Sequence, residues 1–211
     1  RDLLMHGEMV ESHALHVFML ALPDYLGYPD AISMVDKYAK EVKAALQLKK
    51  AGNMVHIALS GREVHGMNER VGGFSTIPKE EDLLAIKKAM EASKATAELA
   101  VKLFTTVDIP NFAQSENMLM ALDPGNKFGY FGDYVLVSNG ERRKVEEYTQ
   151  LTNEKVVKHS HAKHSSYKGS PFMVGALPRV LLCKDKLYGT AKELFKEHKD
   201  KLDQKNSLNN N

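Results

Sequence analysis

One cysteine, Cys183, stands in 211 residues. That excludes an intrachain disulfide and fits a reducing, cytosolic setting. Long apolar runs are also missing. The most apolar stretch, 14–22, is interrupted by His16 and stopped by Pro23, so neither a membrane span nor a secretory leader is read here. Charge of one sign is not in excess, with 29 basic against 27 acidic residues and a net charge of +2. A nucleic-acid surface needs basic residues clustered on one face, and this balance gives no sign of one. There is no glycine-rich phosphate loop ending in Lys-Ser/Thr, no internal repeat and no linker. The chain does not begin with Met; it opens on Arg1-Asp2-Leu3-Leu4, inside a helical pattern, and stops at Asn209-Asn210-Asn211. The expectation is a piece of a longer protein.

What is present is ordinary globular material, 43% hydrophobic and 27% charged, enough for one domain with a sizeable core or two small ones. Residues 2–22 predict a helix, with Leu3, Leu4, Val10, Val17, Phe18 and Leu22 at helical spacing. Pro23-Asp24 is expected to end it, and Gly27 and Pro29 to make a turn. A second helix is expected over 30–49, N-capped by Asp30 and broken by Gly52, with a shorter apolar helix over 54–59. Residues 79–107 give the clearest pattern: Pro78 stands at the start, and Glu80, Glu81 and Asp82 fill the first turn, where the helix dipole favours acid. Pro110 closes it.

Beyond 110 the pattern is irregular. Residues 123–126 read as a turn. Residues 134–138 read as a strand, and Asn139-Gly140 as a hairpin turn. Residues 145–148 either pair back or start a helix. Residues 170–182, apolar but broken by Gly and Pro, read as buried extended structure, and 185–202 as a last helix. The whole is mainly α with a small β-hairpin region, an α+β chain. It is taken as one partial domain over 1–205 with a polar tail, 206–211.

Several residues invite chemistry. His6, His13 and His16 lie near one helix face, but no Cys or carboxylate completes a ligand set, and polar contacts within a helix bundle are the simpler reading. His159, His161 and His164 also lack the partners of a zinc site and read as a solvated or locally hydrogen-bonded segment. Cys183 follows an apolar run and reads as a buried, inert thiol. That leaves 61–73, a loop with glycines at both ends and His65 between Arg62 and Arg70. It is either a turn-rich connector or a surface offering donors to an anion, a cofactor or a partner protein.

The loop's Gly61-Arg62-Glu63-Val64-His65 and Val71-Gly72-Gly73-Phe74 resemble the Gly-Arg-x-x-His…Gly-Gly loop of nickel–iron hydrogenase large (alpha) subunits. Ser12-His13-Ala14-Leu15-His16 with 22–27 is similar to the helix after that family's N-terminal cysteine motif. His159-Ser160, with Glu154 one position off, resembles its E-x-x-x-H-S region, and 173–179 its V-G-P-L-A-R motif. The tail at 206–210 is similar to its N-P-x-x-N-N segment. These matches run in family order over nearly the whole chain, and the soluble, multi-subunit archaeal type is the nearest in character. Gly66 stands where the family often has Pro, and Ala176-Leu177-Pro178-Arg179 replaces P-L-A-R.

The resemblance implies a helical-bundle core and, in the complete protein, an oxidoreductase that oxidises H2 reversibly. It implies a nickel–iron centre with cyanide and carbon monoxide ligands, held by four cysteines in two C-x-x-C pairs. Both pairs are missing here, and Asp123-Pro124 is followed by Gly125, not by the cysteine of a D-P-C-x-x-C motif. Nickel in such a site needs soft thiolates, so this chain alone is expected to bind no such centre and to be inactive. By resemblance, His65, supported by Arg62, Gly72 and Gly73, faces an iron–sulfur cluster of a small partner subunit, with further electron-transfer subunits beyond it. The alternative is a metal-free scaffold of the related quinone-reductase type, which keeps a similar loop. The expected location is the cytoplasm, without membrane insertion.

Overall fold

The computed structural model describes residues 1–107 and 117–199. The chain divides into two compact units, Arg1–Ile109 and Pro110–Asn211.

The first unit is mostly helical. Helix α1 (Asp2–Leu15) runs into a π-helical turn (His16–Ala21) and then α2 (Leu22–Leu26). The expected stop at Pro23-Asp24 does not occur. Pro23 sits in the first turn of α2, where its missing N–H costs nothing, and the helix continues to Leu26. The end is made by Gly27 at φ 76°: its N–H bonds to Asp24 O and the N–H of Tyr28 to Pro23 O, a Schellman cap.

Helix α3 (Val35–Ser60) replaces the two shorter helices expected over 30–49 and 54–59. Asp30 caps a turn ahead of it instead, its Oδ1 accepting from the N–H (2.7 Å) and hydroxyl (3.0 Å) of Ser33. Tyr38, at φ −118° and ψ 30°, kinks the first turns. Gly52 does not break α3, because its missing side chain is what lets α1 come close. A Cβ on Gly52 would sit 2.7 Å from Glu11 N and 2.8 Å from Gly7 O, and one on Gly7 would sit 2.7 Å from Val55 Cβ. An ion pair and a close polar contact join the same helices: Lys49 Nζ meets Glu11 Oε1 at 2.9 Å, and His56 Nε2 lies 3.2 Å from Glu8 Oε2.

After α3 comes a minimal hairpin, β1 (Glu69–Arg70) and β2 (Gly73–Phe74). Helix α4 (Glu80–Thr106) follows the sequence reading, with its acidic first turn in place; Pro110 lies outside the described residues. One core joins Ala14, Phe18 and Leu22 to Met34, Ala45 and Leu48, with Leu103 and Phe104 packed against it. A second joins Val55, Leu59 and Ile86. Tyr25 meets Phe104 edge to face at 5.7 Å.

In the second unit, β3 (Met118–Leu122), β4 (Tyr134–Val137) and β5 (Arg142–Lys144) form an antiparallel run. The Asn139-Gly140 turn joins β4 to β5 as expected, with Gly140 at φ 89°. A 3-10 turn (Val145–Glu147) leads into the short α5 (Tyr148–Leu151). The long hairpin β6 (Thr152–Val157) and β7 (Ser160–Tyr167) follows and stands apart as its own two-stranded sheet. Strand β8 (Phe172–Met173) then pairs parallel to β3 and completes a four-stranded sheet in the order β5-β4-β3-β8. Residues 170–182 are thus not extended throughout. After β8 they form α6 (Ala176–Leu182), since Pro178 falls in its first turn and is tolerated there. The last helix described, α7, spans Gly189–Glu197 and starts later than expected. The core gathers Met120, Val137, Leu151 and Tyr167.

An alanine at a helical glycine ordinarily gains up to about 1 kcal/mol. At position 52 the new Cβ meets backbone atoms that cannot rotate away, so Gly52→Ala should lose about 2 kcal/mol, as overpacking does. At Gly129 a Cβ would meet nothing nearer than 3.8 Å, and Gly129→Ala should change stability by no more than about 0.5 kcal/mol. Urea unfolding midpoints of the two variants check this.

Candidate functional site

The loop predicted from sequence starts at the C-terminus of α3, where the last carbonyls of a helix lack partners. Gly61 takes φ 80° and caps the helix through its N–H to Ile57 O. The chain then folds back on itself. Met67 N and Asn68 N both donate to Ser60 O, at 2.8 and 3.3 Å, and Asn68 Nδ2 donates to Leu59 O at 3.2 Å. The open helix end is thus closed by the loop, and the loop is fixed by the helix end.

Past this anchor the β1–β2 hairpin turns through Gly72 at φ 89°. Arg70 stiffens it by donating to Met67 O and Glu69 O. Ser75 closes it with two bonds to Asn68 O.

The electrostatic centre of the loop is Glu69. The hydroxyl of Ser60, a fully buried residue, donates to Glu69 Oε1 at 2.6 Å. That bond is the first cause holding the carboxyl below the usual range. The carboxylate lies over Gly66, where a Cβ would come within 2.4 Å of both its oxygens. This gives Gly66 a local reason to stand where the resembled loop often has Pro.

Arg62, His65, Gly72 and Gly73 are all exposed. His65 is also a non-glycine residue in the left-handed region, at φ 55°. The structure therefore gathers the four named residues on one surface loop. Around them stand exposed apolar side chains, Val64, Met67, Val71 and Ile77. Sequence reasoning missed the parts of Ser60, Asn68 and Glu69 in framing the loop. A Ser-Gly pair at a helix end followed by Asn and Glu at 68–69 was the available signal.

The other candidates are placed as follows. His6 and His13 are exposed on α1, and His16 is exposed on the π turn. His159 lies in the tip of the β6–β7 hairpin, with its ring 5.4 Å from that of His164. Cys183 is buried at 2% exposure, with its thiol 3.6 Å from Leu122 O, and burial pushes its pKa up. That is the opposite of an activated thiolate. Among the described residues no group of three or more His, Cys, Asp or Glu is placed to hold a metal ion. None of the described helices is long and apolar enough to cross a membrane. The second unit carries a cavity of about 350 Å³, lined by Tyr130, Tyr148, Leu151, Phe172, Val174 and Arg179 among others.

The loop's framing predicts a pH effect with a definite sign. Because Glu69 titrates below its usual value, its contribution to stability is complete above that value and is lost as pH falls through the depressed pKa. Ser60→Ala removes the largest cause. The Glu69 carboxyl, followed by carbon-detected NMR, should then titrate higher, close to the ordinary value.

No protein-family profile matches the chain. Individual proteins do. It is 41% identical over 212 residues to the alpha subunit of sulfhydrogenase 1 of Pyrococcus furiosus, a match covering the whole chain and 50% of that protein. It is 41% identical over 217 residues to the alpha subunit of sulfhydrogenase 2 of the same organism, covering the whole chain and 48% of that protein. A vhu-type F420-non-reducing hydrogenase of Methanocaldococcus jannaschii is 28% identical over 220 residues, covering 93% of the chain and 53% of that polypeptide. The fold matches a chain of an NAD+-reducing [NiFe]-hydrogenase in its H2-reduced state, with a TM-score of 0.73 and 24% identity over 85% of this chain and 46% of that one. The chain spans about half the length of the curated relatives it matches. The resemblance read from scattered motifs is borne out: the relatives that match the whole chain are hydrogenase alpha subunits.

Proposed function

We propose that this chain is part of the alpha (large) subunit of a cytoplasmic nickel–iron hydrogenase. The complete protein oxidises H2 reversibly and passes electrons to a small iron–sulfur subunit, then on through further electron-transfer subunits. The observation that carries this reading is the 41% identity, over the whole chain, to the alpha subunits of two sulfhydrogenases.

The nickel–iron centre supplies the H2-splitting chemistry of that family when bound. The donors on this chain do not fit it. Such a centre takes four accessible thiolates, whereas the one cysteine here is buried, engaged with a carbonyl and raised in pKa. In the hydrogenase reading the metal would be held by cysteines other than Cys183. The same misfit favours one other reading, a metal-free scaffold of the quinone-reductase type. C-x-x-C pairs flanking this stretch in the complete gene, with nickel in the purified protein, would decide for the hydrogenase; a gene without them would decide for the scaffold.

The part assigned to this chain is the docking of the electron-carrying partner. In this reading the 61–73 loop meets the iron–sulfur subunit. His65 donates a hydrogen bond to a cluster sulfur, and Arg62 with the Gly72-Gly73 turn shapes the contact. Support comes from the exposure of all four residues. It also comes from the firm anchoring of the loop on α3 and from exposed apolar side chains around a few polar ones, the composition of a partner surface.

A hydrogen bond to sulfur raises a cluster's potential. In the complete, assembled protein, His65→Ala should therefore shift the nearest cluster's midpoint to more negative values and slow H2-dependent dye reduction, with nickel content unchanged. His65→Gly should do the same while relieving the left-handed backbone, which separates loss of the imidazole from loop strain. Redox titration followed by EPR is the measurement. An unaltered potential and rate in both variants would falsify the assignment.

A further inference from the structure

The β6–β7 hairpin, which carries the His159-Ser160 segment, takes no part in the loop described above, and its construction is unusual. Among the described residues it pairs with no other strand, so both of its edges present unpaired backbone N–H and C=O groups. Both faces are open as well: residues 153–165 are exposed except for Val157, which is partly so. It is held at its base, where Leu151 and Tyr167 enter the core and Lys168 pairs with Glu141 at 2.6 Å. Isolated two-stranded ribbons are marginal in water, and natural proteins seldom leave open edges uncovered.

The charge on the ribbon is mostly basic. From 152 to 167 it carries Lys155, Lys158 and Lys163 with three histidines, against the single carboxylate of Glu154. Glu154 is already taken by Lys163. Among the described residues Lys155 and Lys158 have no ion-pair partner. Cross-strand pairing sets Lys155 opposite His164, whose ring meets that of His159. Val156 adds an apolar side chain, 79% exposed.

We propose that this hairpin is a docking arm for an acidic, extended segment of another polypeptide, which adds as a third strand along its open edge. Main-chain hydrogen bonds to the free edge supply the register, as in other strand-addition contacts. Lys155 and Val156 lie on opposite faces of β6 and Lys158 stands in the turn beyond it, so a carboxylate on one face of the added strand meets Lys155, an apolar residue on the other meets Val156, and a carboxylate past the strand's end meets Lys158. The near-neutral charge of the chain as a whole favours a protein segment over nucleic acid or an anionic membrane, either of which is served by a broader basic field.

The test uses the full chain and a fluorescein-labelled peptide of alternating glutamate and valine, followed by fluorescence anisotropy. Duplex DNA and phosphatidylserine vesicles serve as competing probes. The peptide should bind, and Lys155→Glu/Lys158→Glu should weaken it by about tenfold. The same reversal at Lys87 and Lys88 on α4 should leave binding intact. Hydrogen exchange should show peptide-dependent protection of amides in β6 or β7, which attraction between charges alone would not give. Equal binding by the two double variants, absence of added protection, or tighter binding of DNA or vesicles would each overturn the proposal.

Discussion

The first unit depends on how closely α1 and α3 approach. Gly7 and Gly52 face one another at that crossing, and a Cβ on either would overlap the opposite helix. Removing both side chains lets backbone meet backbone, which raises dispersion contact and excludes water from the seam. The Glu11–Lys49 ion pair and the contact of Glu8 with His56 join the two helices. Neither is worth much by itself where solvent reaches it. Together they penalise slippage along the helix axes, since a shift of one turn would part both. Register at the crossing fixes where α3 ends, and the end of α3 is where the loop begins.

That dependence explains which parts of the fold were legible in the sequence. Helix α4 was, because its apolar spacing, acidic first turn and preceding Pro78 all point the same way. The Asn139-Gly140 hairpin was, because its turn chemistry is local. The errors come from residues whose local meaning was overridden by packing. Gly52 reads as a breaker when judged by propensity, yet it lies at the centre of the closest helix crossing in the unit. Pro23 and Pro178 read as stops, yet each lies in a first turn, where no N–H is needed. Strand β3 and the β6–β7 hairpin were missed for a different reason. In β6–β7 the exposed faces carry no alternation of apolar and polar residues, and that alternation is the signal by which a half-buried strand is read.

The candidate loop was legible as a place but not as a structure. Its glycines, arginines and histidine marked 61–73 as distinctive. Nothing in the residue pattern alone told that Ser60 would be buried beneath it, or that Glu69 would turn back over Gly66 to reach that hydroxyl. The bonds from Ser60 to Met67, Asn68 and Glu69 span a turn, a range at which neither helical nor strand periodicity carries information. Cys183 is the opposite case. Its place after an apolar run implied a buried thiol, and the structure adds the carbonyl it contacts.

The strained backbone at His65 ties these levels together. A non-glycine residue in the left-handed region costs on the order of 1 kcal/mol, and it persists only where the surroundings hold it. Here they do: Gly61 on one side caps α3, and on the other the Met67 and Asn68 amides are bound to Ser60 O. The chain must travel from one anchor to the other over residues 62–66, and His65 sits within that span, next to the glycine that makes room for Glu69. Its exposed imidazole is therefore carried on a segment pinned at both ends. For a group whose proposed role is a single hydrogen bond to a partner, fixing the backbone in advance lowers the entropy lost on docking. The anchors that hold it, Ser60 and Glu69, contribute through the position of the loop.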